Sequence, residues 1–506
     1  MATRRIATAG APRVISFVEV RPGAYRDSVA LMQVSRDLAD LDGVSAVLVA
    51  MATELNLDLL ASMGFDRPPK AGPNDMVVAI SAEDDDALAQ ARIVLEKALR
   101  GEREGWAGGL AGRPGGAPAM ADGLAQPVSR ITAGALDGAT LALVSVPGPY
   151  AFPEAVDALD AGLPVMIFSD NMPLEQEVWL KAAAAQRDLL VMGPDCGTAL
   201  VAGLGLGFAN VVRPGPVGIV AASGTGAQQL MCLLDAADIG ISHCLGVGGR
   251  DLSAAVGGGS TLQALDLLDA DPATEIVVIL SKPPDPAVAE LVSRRASTLS
   301  KPVVIGLPGD TFPDLTAVAA AVLDALGQPS PAWPRWTPTN PLPRRSGALR
   351  GLYAGGTLRD EALSIARERL GRISVDDPGA LGHVLVDFGD DRFTMGRAHP
   401  MIDPTLRADQ LGRDLANPAT GVVLVDVVLG HGAHSSPATA IAEVVHEVAA
   451  IGEILPPVVA ALIGTETDPQ GLEAQAQLLV DAGVRVFLSH AEAVHVALDL
   501  LTGQSP

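Results

Sequence analysis

Val217-Gly218-Ile219-Val220-Ala221-Ala222-Ser223-Gly224-Thr225-Gly226 passes from an unbroken apolar run into a serine and glycines. Ala227 to Ala237 follows, with Leu230, Leu233 and Leu234 at helical spacing. The pattern predicts strand, tight turn and helix. Ser223 suits the cap, and the glycines let a ligand approach the backbone. Free N–H groups at a positive helix end then form an anion site. An ordinary strand–helix turn of an α/β sheet has the same pattern. More glycines follow at Gly246-Val247-Gly248-Gly249 and Gly257-Gly258-Gly259. A similar turn recurs near the C-terminus. Val422 to Leu429 is apolar except for Asp426, and Gly430-His431-Gly432-Ala433-His434-Ser435-Ser436-Pro437 leads into a helix from Ala438 to Ala450. Ser436 fits the cap and Pro437 the first helical position.

Outward from these turns the chain divides into α/β blocks. Residues 1–100 predict a small ferredoxin- or ACT-like α+β module. Its strands are expected at Val14–Val20, Ser45–Met51 and Asp75–Ser81, and its helices at Asp27–Leu41 and Asp84–Leu99. By fold analogy the module would join copies of the chain into a homo-oligomer. Residues 101–127, rich in Gly, Ala and Pro, read as a linker. Residues 128–213 read as a Rossmann-like half domain with polar strand ends at Ser169-Asp170-Asn171 and Gly193-Pro194-Asp195-Cys196-Gly197. Open parallel sheets bind ligands at such ends. Residues 214–326 and 345–506 read as two flavodoxin-like units joined by a proline-rich connector at 327–344.

A net charge of −24 argues against nucleic acid and against an anionic membrane surface. Cys196, Cys232 and Cys244 lack metal-ligand spacing, and so sparse a set suits a reduced cytoplasmic protein. No apolar run reaches the roughly 18 residues of a membrane span. His399, His431, His434 and Asp403 do not make a metal motif, so no metal is expected.

Residues 138–310 resemble the α subunit of succinyl-CoA synthetase. Thr140 to Pro149, Ala161-Gly162, Gly193-Pro194-Asp195-Cys196 and Ser223-Gly224-Thr225 fall at its CoA-domain strands and phosphate-facing helix. Residues 420–500 resemble the C-terminal domain of the β subunit, with Gly430-His431-Gly432 at its phosphate-facing turn. The full chain resembles the FdrA family, including Tyr25, Asp27-Ser28, Met51, Thr53, Asn56 and the segment from Asp387-Phe388-Gly389-Asp390 to Pro404. The synthetase carries phosphate on an α-subunit histidine. Here the matching region after Pro308-Gly309-Asp310 has no histidine before His383, and Lys282 replaces the glutamate that orients it. No ATP-grasp domain is recognisable.

The resemblance implies phosphate chemistry at an acyl-like group. The expected function is that of an FdrA-type subunit of a carbamoyltransferase. It would interconvert oxalurate plus phosphate with oxamate plus carbamoyl phosphate, or act on a related ureido acid, with partner subunits and no required cofactor. A succinyl-CoA-synthetase-like ligase using CoA and ATP or GTP is the alternative, and a non-catalytic scaffold the second. Phosphate is expected between Ser223, Gly224, Thr225 and Gly226 on one side and Gly430, Gly432 and Ala433 on the other. His431 would either serve the leaving amide or sit in a surface turn. Lys282 would neutralise phosphate or carboxylate, or be a solvated loop lysine. Arg392 and Arg397 suit a small carboxylic acid and equally suit salt bridges. Asn171, Cys196 and Gly197 are further substrate candidates, with Cys196 either reactive or a small core residue.

Overall fold

The computed structural model describes residues 15–22, 24, 28–39, 41–72, 75–99, 139–281, 284–307, 311–394, 397–451 and 455–503. The chain forms two compact units, Met1–Pro127 and Val128–Pro506. The 101–127 linker, Tyr25, Asp27 and Lys282 lie outside the described residues.

In the first unit, β1 (Ile15–Arg21), α1 (Ser28–Ala39), β2 (Val44–Met51), α2 (Glu54–Ser62), β3 (Met76–Ala82) and α3 (Asp85–Leu99) form a split β-α-β arrangement. The sheet order is β1-β3-β2, and β3 pairs antiparallel with both neighbours. The period-two alternation of β3 feeds both faces. Met76, Val78 and Ile80 pack with Leu31, Leu38 and Leu95. Val77 and Ala79 pack with Leu57, Leu60 and Phe65. This is the ferredoxin-like arrangement expected, with one helix, α2, that sequence reading passed over. Thr53 caps it, taking the Asn56 N–H at 3.3 Å.

The second unit begins with β4 (Ala142–Val144), α4 (Gly148–Asp160), β5 (Val165–Ile167), α5 (Leu174–Ala185) and β6 (Val191–Met192), a three-stranded parallel sheet. Next come β7 (Thr198–Val201), β8 (Leu204–Gly207), β9 (Pro214–Ala221), α6 (Gly224–Ala236), β10 (Ile241–Gly246), α7 (Gly259–Ala270), β11 (Ile276–Leu280), α8 (Pro286–Ala296), β12 (Val303–Gly306) and α9 (Leu315–Ala325). Their sheet has the order β12-β11-β9-β10-β7-β8. The β7–β8 hairpin, read from sequence as part of the preceding half domain, hydrogen-bonds to β10.

The remainder holds β13 (Arg335–Trp336), β14 (Ala348–Tyr353), α10 (Gly356–Leu370), β15 (Ser374–Val375), β16 (Val384–Asp387), α11 (Asp391–Thr394), α12 (Thr405–Ala416), β17 (Thr420–Val428), α13 (Pro437–Ala450), β18 (Val458–Ile463), α14 (Leu472–Asp481), β19 (Arg485–Phe487) and α15 (His490–Thr502). The sheet order is β13-β19-β18-β17-β14-β16-β15. β9 has β10 on one side and β11 on the other, and β14 has β16 and β17. Each is the first strand of its parallel set with partners on both sides. The turn that follows each therefore opens at a topological switch point, where α/β sheets hold ligands.

A buried ion cluster fastens the three-stranded sheet to its neighbour. Lys181 Nζ on α5 donates to Glu177 Oε1 at 2.9 Å, Asp251 Oδ1 at 2.8 Å and the Val247 carbonyl at 2.9 Å. Arg250 Nε lies 2.8 Å from Glu177, and Asp251 Oδ2 accepts from Thr261 N and Oγ1. Lys181→Met should destabilise this unit by about 3 kcal/mol, the low end for breaking a buried pair, because both carboxylates keep another donor. A fall in denaturant midpoint at constant slope measures it.

Candidate functional site

The site grows from the turns after β9 and β14. Ser223 caps α6, its Oγ accepting the Gly226 N–H at 3.1 Å. The same oxygen shares a 2.6 Å hydrogen bond with Thr357 Oγ1 in the first turn of α10. Gly355, at the head of α10, has extended φ and ψ that any residue could adopt. It is small because space requires it. A methyl group there would lie 2.3 Å from Thr225 Cγ2 and 2.4 Å from Thr225 Oγ1. The two helix N-termini thus touch. Gly224 and Thr225 N–H on α6, and Gly356 and Thr357 N–H on α10, meet no acceptor among the described residues. Bare donors at adjoining positive helix ends make a receptor for a multiply charged anion, each end contributing about 0.5–2 kcal/mol.

Buried charge holds the second turn. The Ala354 N–H donates to both carboxylate oxygens of Asp426, at 2.8 and 3.1 Å. Arg407 of α12 donates to the same carboxylate and to the Asp426 carbonyl. Burial raises the Asp426 pKa, and Arg407 opposes that rise. Beneath the turn Tyr353, Glu361 and His490 form a buried set. His490 Nδ1 bonds Glu361, and its Nε2 lies 3.3 Å from Tyr353 Oη.

The 387–403 segment supplies a third wall. Asp387 ends β16, beside Tyr353 of β14. Its Oδ1 accepts the Gly389 N–H at 2.9 Å. His399 Nδ1 accepts the Met401 N–H at 3.3 Å, so the ring proton of the neutral imidazole is on Nε2. A methyl group on Gly389 would lie 2.7 Å from the Ala354 carbonyl oxygen, 2.7 Å from His399 Nε2 and 3.1 Å from Asp387 Oδ1. The His399 ring stacks on Phe208 at 5.3 Å, and Phe208 on Phe168 at 5.4 Å. The Phe208 carbonyl accepts from Thr198 Oγ1 at 2.8 Å, and Thr198 borders Gly224. Desolvation pushes the Asp387 carboxyl up to about 7, with Asp426 and Asp376 adding and Gly389 N–H and Arg359 opposing. Desolvation, then Arg407, lowers His399 to about 4. The carboxyl therefore titrates near neutrality while the imidazole stays uncharged.

The residues expected from sequence distribute unevenly. Ser223, Gly224, Thr225 and Gly226 lie at the junction, but the Gly226 N–H is used by the cap. Of the expected Gly430, His431, Gly432 and Ala433, the Gly430 and His431 N–H groups are taken within the fold, while the Ala433 N–H meets no acceptor among the described residues. The Gly430 N–H donates to Gln470 Oε1 at 3.0 Å, and His431 bridges Ala209. A methyl on Gly432 would meet Phe208 at 3.0 Å. Pro437 and the Ala438 N–H, which donates to Gln475 Oε1 at 3.1 Å, close the N-terminus of α13. The His431 ring borders Gly205. Cys196 is buried, its Sγ 3.5 Å from the Thr198 carbonyl. Desolvation raises its pKa, which makes it a core thiol and not a nucleophile. Gly197 accepts from Phe208 N at 2.8 Å, and Asn171 stands exposed after β5 with φ of 55°. Arg392 is held by Asp390 at 2.9 Å and Asp376 at 3.1 Å, the salt-bridging role. Arg397 is exposed, and its guanidinium has no partner among the described residues.

Sequence reading missed Gly355, Gly356, Thr357 and Asp387 as site residues, and weighed His399 only for metal. The Gly355-Gly356 pair ahead of a helix was a usable signal. Arg350 hid it by interrupting the apolar run of β14. That side chain is buried, donating to the Ala380 carbonyl at 3.0 Å, with Asp414 at 3.7 Å.

Fold and site together define a protein of the CoA-ligase type. A family described as CoA-ligase matches residues 352–500. A second, described as "AllF, heavy metal-associated domain", matches residues 14–113. That span contains neither cysteine nor histidine, and the described residues group no three His, Cys, Asp or Glu side chains about a common metal position. YahF of Escherichia coli strain K12 is 36% identical over 92% of this chain and 95% of its own length. The chain belongs to the FdrA family of succinyl-CoA-synthetase-like proteins. The malate–CoA ligase α subunit of Methylorubrum extorquens is 30% identical over 38% of this chain and 66% of that subunit. Among solved structures, the dinucleotide-forming acetyl-coenzyme A synthetase 1 of Ca. Korarchaeum cryptofilum aligns over 71% of this chain and 82% of that one, at 19% identity and a TM-score of 0.29. Among the described residues no helix is long and apolar enough to cross a membrane.

Proposed function

We propose that the chain is the FdrA-type, phosphate-binding subunit of a carbamoyltransferase. It converts oxalurate, or a related ureido acid, and phosphate to oxamate and carbamoyl phosphate. The supporting observation is the junction of α6 and α10, where the N–H groups of Gly224, Thr225, Gly356 and Thr357 are without acceptors. Arg397, exposed and without a side-chain partner among the described residues, is available for the substrate carboxylate. The bond changes need neither CoA nor nucleotide. Partner subunits complete the enzyme, and the ferredoxin-like module is suited to joining copies of the chain.

The test is arsenolysis of oxalurate by the complex isolated with its partner subunits. Oxalurate-dependent release of oxamate that sulfate inhibits is the expected result. Its absence across a panel of ureido acids overturns the reading. An acyl-CoA ligase is the second reading, favoured by the CoA-ligase match and by the α subunit of malate–CoA ligase. It requires CoA to bind at the β5 and β6 strand ends, and calorimetry without heat of CoA binding removes it.

A further inference from the structure

The two receptor helices are braced alike behind their open ends. β9 has β10 on one side and β11 then β12 on the other, while β14 has β16 on one side and β17 then β18 on the other, so the two sheets repeat one strand order. The repeat extends to side chains. Gln229 lies five residues past Gly224 on α6, and Glu361 five residues past Gly356 on α10. Each reaches a helix that belongs to the other sheet and takes the N–H of its first residue. Gln229 Oε1 accepts from His490 N, at the head of α15, at 3.0 Å. Glu361 Oε1 accepts from Leu315 N, at the head of α9. Gln229 Nε2 also donates to the Leu488 carbonyl at 3.1 Å, and Glu361 Oε2 bonds His490 Nδ1. Thr316 and Ser489, in the same two heads, share a hydroxyl bond of 2.7 Å. Gln229, Glu361, His490 and Ser489 are all buried.

We propose that Gln229 and Glu361 are positioning residues of the phosphate receptor. They hold α6 and α10 at the separation and angle at which the bare N–H groups converge on one dianion. This rests on the phosphate-binding reading of that junction. At the mouth the two ends are joined by the Ser223–Thr357 hydroxyl bond. A single polar bond leaves two helices free to pivot about it. A second fixed point along the axes removes that freedom, and the crossed braces stand about 7.5 Å in, at a rise of about 1.5 Å per residue. Both side chains are engaged in these contacts, so they act on the ligand through the helix ends.

Reach, and not charge, is what the braces require. Glutamine and glutamate have the same length, and each uses one oxygen to accept a helix-head N–H. The charge of Glu361 lies behind an anion site and is not needed for that bond. An amide at 361 would keep the Leu315 N–H on its oxygen and donate from its nitrogen to His490 Nδ1. The ring proton would then sit on Nε2, 3.3 Å from Tyr353 Oη. A carboxylate one carbon shorter cannot span the same gap with the helix ends in place.

The experiment titrates the full chain with phosphate by calorimetry, beside urea unfolding of each variant. Glu361→Gln should bind phosphate at least as tightly as the unaltered chain. Glu361→Asp should bind it at least tenfold more weakly. Gln229→Asn should weaken binding to the same degree, and the two shortened side chains together little further, because both open one site. Lys181→Met, a lesion outside the brace, should lower stability and leave phosphate affinity unchanged, which separates lost affinity from lost stability. A second measurement serves where a shortened variant does not fold. In the unaltered chain, phosphate should slow hydrogen exchange of the Leu315 and His490 N–H groups at least tenfold more than that of the Thr261 N–H, which Asp251 holds in α7. An unaltered chain that does not bind phosphate overturns both the reading and the proposal. A chain that binds phosphate, but in which Glu361→Asp and Glu361→Gln differ less than tenfold, overturns the proposal alone. Equal protection of the three N–H groups, where the shortened variants do not fold, does the same.

Discussion

Gly355→Val is expected to weaken phosphate binding by at least tenfold while the chain still folds. A β-carbon at Gly355 would stand 2.3–2.8 Å from the Thr225 side chain, so the two helix ends must separate. The obstructing atoms belong to a side chain and Gly355 is extended, so the strain falls on the junction and not on the backbone. Loss of one helix end as a ligand contact corresponds to about 1–2 kcal/mol, and hence to the tenfold effect. Gly224→Val should act similarly. A β-carbon there has room, 3.4 Å from Thr198 Oγ1, but the valine methyls would cover the bare N–H groups. The two changes should be strongly non-additive because they damage one site. Gly432→Val should behave differently, since its side chain would strike Phe208 and Gly207 at a residue with φ of +79°. It should lower thermal stability more than phosphate affinity. Calorimetric titration with phosphate beside a denaturation curve separates the cases. Unchanged phosphate affinity in Gly355→Val would falsify a shared cradle.

The largest stability loss should come from Arg407→Met, on the order of 3–5 kcal/mol. It leaves Asp426, fully buried, without its cation. Asp426 also takes the Ala354 N–H, so the substitution should loosen the turn that opens α10 and reduce phosphate affinity as well. Asp426→Asn in the Arg407→Met background should recover much of the stability, because an amide oxygen can still accept from Ala354 without an unpaired charge. Urea unfolding of the single and double variants measures the coupling. A double variant no more stable than Arg407→Met would mean that the pair is not what holds the turn.

The local features came through in sequence because neighbouring residues generate them. The run from Val217 to Ala222 announces a buried strand and Ser223 a cap, and both stand as read, while the glycines read as a turn form the first turn of α6 itself. The nearly continuous apolar run from Met76 to Ala82 likewise suits a strand covered on both faces. The 430–436 turn has the same local grammar, yet its Gly430 and His431 N–H groups are taken. Whether a turn's N–H groups stay bare depends on what lies opposite, and Ala209 and Gln470 are both far from it in sequence. The true partner of α6 was obscured by Arg350, a charge that sits buried in β14 only because the Ala380 carbonyl and Asp414 surround it. Asp387 and His399 read as one polar loop among many. Their desolvation and their packing against Gly389 arise when β16 is laid beside β14 and the 397–403 segment returns over it. Sequence alone determined which segments become strands, caps and turns, since those follow from short-range sterics and apolar periodicity. Which two helix ends meet, and which side chains face the space between them, was decided by strand order and burial, which depend on contacts between residues far apart in the chain.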